Sequence, residues 1–320
     1  MTTPRVPFSV IGGFLGSGKT TLLNRWLRHA GGKRLAVLVN DFGALNIDAG
    51  LVEAGAADTI ALTNGCVCCQ IGDDLSLALM RVLDSERRYD SVVVEASGVA
   101  DPWRIAQLGR ADPRVFLDAV VVLVDAGAAL AQSRDALLAD TLERQLKAAD
   151  LVVINKIDLA SAAERVDLHA WIARVCPAVN CVETAHAEVP PALLSGAMLN
   201  VPEAANTGVH HEGHDHADPL HGDRFESWSC RPARTFASAA LRDWLRAPPP
   251  GLLRLKGVLR TSAADGRESW SELQFAGRQG SLRGSTEPQS GAALVAIALR
   301  GRLPRAKLVA RFESDPKDCP

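Results

Sequence analysis

Short apolar runs recur along the first 186 residues, and stretches with helical periodicity separate them. The runs are rich in Val, Ile and Leu: PFSVIGGF, RLAVLVND, DTIALTN, SVVVEAS, DAVVVLVDA, DLVVINKID and AVNCVET. Continuous apolar strands that alternate with helices are typical of βαβ units. The pattern therefore predicts an α/β fold over residues 1–186, with a mostly parallel sheet flanked by helices.

The pattern changes after residue 186. Residues 187–223 combine prolines, glycines and polar residues without a sustained period, which indicates a linker. From residue 224 onward, RFESWSCR, LLRLKGVLRT, SWSELQFAG and AALVAIAL predict short strands, and SAALRDWLRA predicts a helix that ends at three consecutive prolines. We expect a smaller α+β domain over residues 224–320.

Composition and charge narrow the range of partners. The chain has 320 residues, of which 47% are hydrophobic, and its formal net charge is -2. This charge provides no general basic field for binding nucleic acid or anionic membranes. No apolar run reaches the roughly 18 residues of a spanning helix, and the N-terminus lacks a signal-peptide pattern. We expect a cytoplasmic protein without nucleic-acid or membrane partners.

The segment GGFLGSGKTT lies between the first predicted strand and an amphipathic stretch. Gly13 and the run 18–20 have the spacing of a phosphate-binding P-loop, for which the alternative is an ordinary glycine-rich turn. In a P-loop, backbone N–H groups surround the β-phosphate, a lysine reaches the β and γ oxygens, and a hydroxyl binds Mg²⁺. We expect the nucleotide to be bound by Gly13, Gly16, Ser17, Gly18, Lys19, Thr20 and Thr21.

The segment VVINKID ends a later strand with Asn155, Lys156 and Asp158, where open α/β sheets bind ligands. The Asp158 carboxylate can accept hydrogen bonds from guanine N1–H and its exocyclic amine, a pair of donors that adenine lacks. Lys156 can lie along the base. N-K-x-D alone is a weak signal, but together with the P-loop it favours GTP over ATP. An ATP-dependent enzyme with the same sheet is the alternative.

The segment SVVVEASGVADP ends another strand with Glu95, and Gly98 follows it. An acidic residue at this place commonly lies near Mg²⁺, and a glycine near the γ-phosphate. We expect Glu95 and Lys19 to be the catalytic residues of a GTPase, although Glu95 could instead cap the following turn. Because no glutamine stands out as the residue that positions water, we expect intrinsic hydrolysis to be slow.

Three of the seven cysteines, Cys66, Cys68 and Cys69, are crowded into NGCVCC. An odd cysteine count with such crowding favours metal or redox chemistry over a disulfide framework. Thiolates favour Zn²⁺ and similar ions, and convergence of the sulfurs requires a tight loop, which Gly65 and Gly72 allow. Three thiolates leave a fourth position open, as delivery of a metal requires. Buried small hydrophobes and a redox sensor are the alternatives.

Five of the eight histidines lie between residues 210 and 221, interleaved with acidic residues. Imidazoles and carboxylates at this density can collect transition metals loosely. The spacing gives no fixed geometry, so we interpret this segment as a low-affinity acquisition site, with a polar linker of drifted composition as the alternative. The metal-binding candidates here are His210, His211, His214 and His216.

Taken in order, GGFLGSGKTT, NDFGALNID, NGCVCC, EASGVADP, NKID, the histidine-rich segment and RLKG resemble the CobW-like GTPases, relatives of the nickel and cobalt insertion proteins. The resemblance covers essentially the whole chain. It implies a GTP-dependent metallochaperone that delivers Zn²⁺ or Co²⁺ to a client metalloprotein. Asp41 stands where family members usually carry Glu, and it is a candidate contact to Mg²⁺ or to the transported metal, or a solvated carboxylate.

The hypothesis is therefore a GTPase that binds GTP, Mg²⁺ and Zn²⁺ and transfers the zinc to a client, with homodimerisation plausible. A metal-sensing or metal-storage protein that uses nucleotide as a structural cofactor is the competing interpretation.

Overall fold

The chain forms two compact units, Met1–Met198 and Leu199–Pro320. The computed structural model describes residues 5–30, 32–39, 58–61, 70–177, 179–196, 224–277, 279–288 and 291–313.

Among the described residues, seven strands form the sheet of the first unit, and each coincides with one of the apolar runs of the sequence. They are β1 (Val6–Gly13), β2 (Leu35–Val39), β3 (Asp58–Ala61), β4 (Ser91–Glu95), β5 (Val115–Asp125), β6 (Leu151–Asn155) and β7 (Asn180–Glu183). Their order is β3-β2-β4-β1-β5-β6-β7, and all the described pairings are parallel. The predicted α/β fold is confirmed.

Helices connect these strands. They are α1 (Lys19–Arg28), α2 (Gln70–Asp84), α3 (Pro102–Ala111), α4 (Ala129–Ser133), α5 (Ala139–Ala148), α6 (Ala162–Val175) and α7 (Pro191–Leu194), with a short 3₁₀ helix at Ile157–Leu159. Local sequence explains where two of them begin. The Asp101 side chain accepts a hydrogen bond from Trp103 N before α3, and Ser161 and Glu164 form a reciprocal capping box before α6.

Both faces of this sheet are covered. Consecutive residues of a strand point to opposite faces. In β4, Val92 and Val94 join one core with α2, α3, α5 and α6, while Val93 between them is also fully buried. Burial on both faces explains why the strands are continuous apolar runs rather than alternating ones.

Residues 187–196 differ from the prediction, because the sequence indicated a linker there and the structure packs them into the first unit. Leu194 is buried, and its carbonyl accepts a hydrogen bond from Ser9 Oγ at 3.2 Å. Asp118 of β5, 5% exposed, accepts hydrogen bonds from Ser195 Oγ at 2.8 Å and from Gly196 N at 2.7 Å. The remainder of the predicted linker, residues 197–223, lies outside the described residues.

The described residues of the second unit form a mixed sheet with two helices. Its elements are β8 (Phe225–Cys230), β9 (Phe236–Ala237), α8 (Ser238–Arg246), β10 (Leu252–Ser262), β11 (Glu268–Ala276), β12 (Gln279–Ser285), β13 (Ala293–Leu299) and α9 (Arg305–Phe312). The strands β12-β11-β10-β13-β8 pair antiparallel, and β9 pairs parallel with β10. The predicted α+β class is confirmed.

Aromatic side chains form the centre of the second unit's core. The Phe312 ring lies 6.3 Å from Trp228, 5.8 Å from Phe236 and 5.3 Å from Trp244 between centroids. These rings join α8, α9, β8 and β9, because each element contributes one of them. Truncation of Phe312 would therefore open a cavity between four elements.

No helix in the part of the chain that the structure describes is both long enough and apolar enough to cross a bilayer.

Substitution of Asp118 by Ala tests the attachment of residues 195–196 to β5. The change leaves Ser195 Oγ and Gly196 N without this buried acceptor, so we expect the first unit to lose about 1–3 kcal/mol of unfolding free energy. Urea denaturation combined with hydrogen exchange of β5 peptides measures the loss and assigns it to the first unit.

Asp140→Ala is the control for this test. Asp140 forms an exposed ion pair with Arg144 within α5, so its loss should change stability by no more than about 0.5 kcal/mol. Equal stability of the Asp118 and Asp140 variants would contradict a role for Asp118 in attaching this segment.

Candidate functional site

The loop between β1 and α1 has the backbone form of a phosphate cradle. Gly13 and Gly18 adopt positive φ angles of 131° and 103°. A Cβ atom would collide with the Leu123 carbonyl oxygen at Gly13 and with Asn155 Nδ2 at Gly18. Glycine is therefore required at both positions for backbone conformation and for space. Helix α1 begins directly after Gly18, so its free N–H groups face the place where phosphates would bind.

The remaining P-loop residues predicted from the sequence lie in this loop or in the first turn of α1. Gly16 is exposed and has a φ of 74°, and Thr21 is exposed. Ser17 is buried, and its hydroxyl has no hydrogen-bond partner among the described residues. A buried hydroxyl without a partner is costly and is consistent with a site built for a polar ligand.

Lys19 and Thr20 bring a cation and a hydroxyl to the centre of the site. Lys19 is 7% exposed, and its ammonium donates to the carbonyl oxygen of Phe14 at 3.2 Å. Thr20 Oγ1 donates to Glu95 Oε1 at 2.8 Å, which joins α1 to the end of β4. Glu95 is only 2% exposed. A hydroxyl and a carboxylate in contact are the oxygen ligands that Mg²⁺ prefers, so this pair fits the predicted ion.

The strand register explains why Glu95 reaches Thr20. Glu95 is paired with Ile11 of β1 on one side and with Val39 of β2 on the other. Its partner Ile11 is two residues before the end of β1 at Gly13, so Glu95 lies at the carboxyl edge of the sheet. Parallel strands meet the same edge at their carboxyl ends, which is where open α/β sheets bind ligands.

Asn155 connects the P-loop to the end of β6, where the sequence predicts that the guanine base binds. It is 2% exposed, its Nδ2 donates to the Ser17 carbonyl at 2.9 Å, and its Oδ1 accepts from Ala187 N at 2.8 Å. All hydrogen bonds that define its position are therefore to backbone. The structure thus assigns Asn155 the task of holding two loops in register.

The other two residues of the N-K-x-D motif follow β6. Lys156 adopts a left-handed conformation with a φ of 60°, and its ammonium lies 2.7 Å from Asp125 Oδ2. Asp158 is exposed in the first turn of the 3₁₀ helix. Its carboxylate has no hydrogen-bond partner among the described residues, so it is available to a ligand.

Sequence reasoning missed three contributors to this site. Asp125 holds Lys156, and because it ends an apolar strand beside Asn155, the same strand-end rule could have identified it. His186 and Ala187 adopt left-handed φ angles of 53° and 56° next to Asn155. Non-glycine residues in this region are strained and cluster at functional sites, but no sequence signal predicted them.

The predicted metal ligands outside the nucleotide site lie outside the described residues. They are Asp41, Cys66, Cys68, Cys69, His210, His211, His214 and His216. Within the described ranges, no group of three or more His, Cys, Asp or Glu side chains is arranged to hold a metal ion. Burial raises the pKa of the Cys181 and Cys230 thiols to about 12, which disfavours the thiolate form that a metal needs.

Comparison with known proteins gives matches over both units. Residues 7–183 match the sequence model of the CobW/HypB/UreG nucleotide-binding domain, and residues 225–314 match that of the cobalamin synthesis protein CobW C-terminal domain. The zinc chaperone CobW of a Sinorhizobium species is 34% identical over 296 residues, covering 80% of this chain and 83% of that protein. The zinc chaperone YjiA of Escherichia coli is 34% identical over 205 residues, covering 61% of this chain and 63% of that protein.

Among solved structures, that of Zn(II)-bound YjiA GTPase from Escherichia coli is 23% identical, covering 96% of this chain and 98% of that chain with a TM-score of 0.45. The family assignment depends on the sequence matches. Since residues 7–183 are more than half of the chain and the Sinorhizobium protein is matched over most of its length, the chain belongs to the CobW/HypB/UreG family, as the resemblance of its motifs predicted.

Proposed function

We propose that the protein is a GTP-hydrolysing metallochaperone, which binds Zn²⁺ as cargo at Cys66, Cys68 and Cys69 and delivers it to a client metalloprotein. The observation that carries the nucleotide half of this proposal is the 2.8 Å hydrogen bond between Thr20 and Glu95, which brings a hydroxyl and a carboxylate together beside the P-loop. The zinc half draws on the Sinorhizobium and Escherichia coli relatives, both of which are named zinc chaperones.

The chain's own groups suit binding of a nucleoside triphosphate. The backbone N–H groups of Gly13, Gly16 and Gly18 and the start of α1 would surround the phosphates, and Lys19 would neutralise their charge. Thr20 and Glu95 would hold Mg²⁺, which when bound supplies charge neutralisation of the phosphate oxygens. Ser17 and Thr21 border the same loop.

The residues after β6 would determine specificity for guanine. The free carboxylate of Asp158 can accept from both donors on the guanine edge. Lys156 can flank the base with its stem while its ammonium remains on Asp125. Because Asn155 holds the backbone around Ser17, the base site and the phosphate site are kept at a fixed distance.

The cargo site is proposed from the thiol chemistry of the segment between β3 and α2. Cys66, Cys68 and Cys69 would supply three thiolates and leave the fourth position open for exchange. Co²⁺ is the alternative cargo, because thiolate sites bind several ions. Asp41 comes two residues after Val39 in the sequence, and Val39 is the register neighbour of Glu95, so Asp41 is proposed as a contact to Mg²⁺ or to the cargo.

Four histidines are proposed as a separate acquisition site of low affinity: His210, His211, His214 and His216.

The proposed partners are the client metalloprotein, guanine nucleotide and a second copy of this chain. Leu15 and Val99 support self-association, since these apolar side chains beside the nucleotide site are 59% and 42% exposed.

We assign the activity to the cytoplasm, where a reducing environment keeps the thiols free.

Asp158→Asn tests guanine recognition. The amide replaces a charged acceptor that would take two hydrogen bonds from the base, so we expect affinity for GTP to fall about 10- to 100-fold. Competition titration with GTP and ATP on the full chain measures this change. Asp167→Asn, an exposed carboxylate on α6, is the matched control and should bind GTP as the parent chain does. Unchanged GTP affinity in the Asp158 variant, or a parent chain that prefers ATP, would argue against a GTPase.

Simultaneous replacement of Cys66, Cys68 and Cys69 by Ala tests the cargo site. We expect the variant to lose about one equivalent of tightly bound zinc and any zinc dependence of GTP turnover, because no thiolate remains there. Metal analysis and a phosphate-release assay provide the two readouts. Cys319→Ala is the control and should retain both properties. Zinc that remains bound would contradict the site, and zinc that binds without affecting turnover would favour a storage or sensing protein.

A further inference from the structure

Gln145 is a buried polar residue that the proposed function has not used. It lies on α5, is 2% exposed, and sits between the core residues Leu142 and Leu146 in sequence. Its Nε2 donates to the carbonyl oxygens of Gly98 and Ala100, each at 3.0 Å. An amide nitrogen has two hydrogens, so this side chain commits its whole donor capacity to one segment of backbone.

That segment is the turn that follows Glu95. Ala100 N donates to the Ser97 carbonyl at 2.9 Å and closes the turn. On its other side the turn touches the P-loop, since a Cβ atom at Gly98 would lie 2.5 Å from Leu15 Cδ2 and 2.8 Å from Leu15 N. Only glycine allows this close approach, so the turn is held between α5 and the phosphate cradle.

Three carbonyls of the turn, those of Ser97, Gly98 and Ala100, accept hydrogen bonds, whereas one of its amides is free. The Gly98 N–H makes no hydrogen bond to any of the residues that the structure describes. The hydroxyl of Ser97, which is 5% exposed, also has no partner among them. A buried donor without a partner costs free energy, which a phosphate oxygen could offset. The free donors therefore lie beside the cradle, while Gln145 holds the opposite side of the turn.

We propose that Gln145 is a positioning residue for recognition of the terminal phosphate. By holding the Gly98 and Ala100 carbonyls, it pre-orients the Gly98 N–H toward a γ-phosphoryl oxygen, so that the site binds a nucleoside triphosphate in preference to a diphosphate. The proposal rests on the proposed function, because it assumes that the P-loop binds guanine nucleotides. It also implies that α5 responds to the γ-phosphate through Gln145.

The chemistry of the side chain explains why an amide is suited to this task. A neutral amide can be buried without the cost of a charge, and it supplies two donors from one nitrogen. Glutamate at this position would set carboxylate oxygens against two carbonyl oxygens, and methionine would fill the space without donating. The two substitutions therefore separate packing from hydrogen bonding.

Equilibrium binding of GDP and of a nonhydrolysable GTP analogue, each with Mg²⁺, to the full-length chain tests the proposal. We expect Gln145→Met to weaken the analogue about tenfold and GDP by no more than about twofold, because only the triphosphate uses the oriented turn. Gln145→Glu should also weaken the analogue more than GDP, and its loss of affinity for the analogue should exceed that of Gln145→Met. An unchanged ratio of the two affinities, or equal weakening of both ligands, would overturn the role of Gln145.

Ser9→Ala is the matched control. It also removes a buried side-chain hydrogen bond to backbone in the first unit, from Ser9 Oγ to the Leu194 carbonyl, and it should leave the ratio unchanged. A similar change of ratio in this variant would mean that general destabilisation is the cause, and would overturn the proposal.

Hydrogen exchange of the unmodified chain provides a test that does not depend on a variant folding. Peptides that span Ala139–Ala148 should be better protected with the GTP analogue than with GDP, and identical protection would overturn the proposal. A chain that prefers the analogue to GDP, but whose Gln145 variants keep that preference, contradicts the inference alone. A chain that binds neither guanine nucleotide contradicts the proposed function itself.

Discussion

Parallel pairing is the constraint on which the first unit depends. Because all described strands of its sheet run in one direction, their carboxyl ends meet at one edge, and side chains from distant parts of the chain converge there. Thr20 meets Glu95 across 75 residues, and Asn155 meets Ser17 across 138. In a βαβ fold, short motifs that directly follow different strands therefore lie together and form one site.

Hydrogen bonds from two buried amide side chains to backbone help to fix the geometry of this edge, beside the Lys156–Asp125 ion pair. Asn155 holds the P-loop and the segment after β7 together, while Gln145 holds the turn after β4. Both side chains are neutral amides in buried surroundings, where each hydrogen bond is strong and loss of a partner is costly. Lys19 and Glu95 are held by other contacts, Lys19 by the Phe14 carbonyl and Glu95 by the Thr20 hydroxyl, and fixed groups limit the reorganisation that binding requires.

The sequence predicted the strands of the first unit well, because strands buried on both faces appear as continuous apolar runs. It did not predict β12, whose residues Gln279–Ser285 include two glycines and only one large apolar side chain, or β9, which has two residues. Helix α9 was also missed because Arg305–Phe312 is short and carries three basic residues.

The sequence also predicted the phosphate-binding and base-binding motifs, since local spacing determines a P-loop and an N-K-x-D turn. It did not predict the contacts that orient these motifs. Gln145 acts on Gly98 from 47 residues away, and its place in an amphipathic helix resembles that of any partly polar position. The attachment of Ser195 to Asp118 likewise depends on tertiary packing, so a segment without periodicity was interpreted as a linker.

In the sequence, the cysteine segment lies between β3 and α2, and β3 ends at Ala61, the register neighbour of Val39, at the sheet edge that carries the nucleotide site. We therefore propose that the zinc site and the nucleotide site are linked, with each ligand changing the affinity of the protein for the other. The most direct measurement is a competition titration of Zn²⁺ against a chromophoric chelator, with the chain free of nucleotide, bound to GDP and bound to a nonhydrolysable GTP analogue. We expect the tightest zinc binding with the analogue and weaker binding with GDP, whereas one zinc affinity shared by all three states would contradict the linkage.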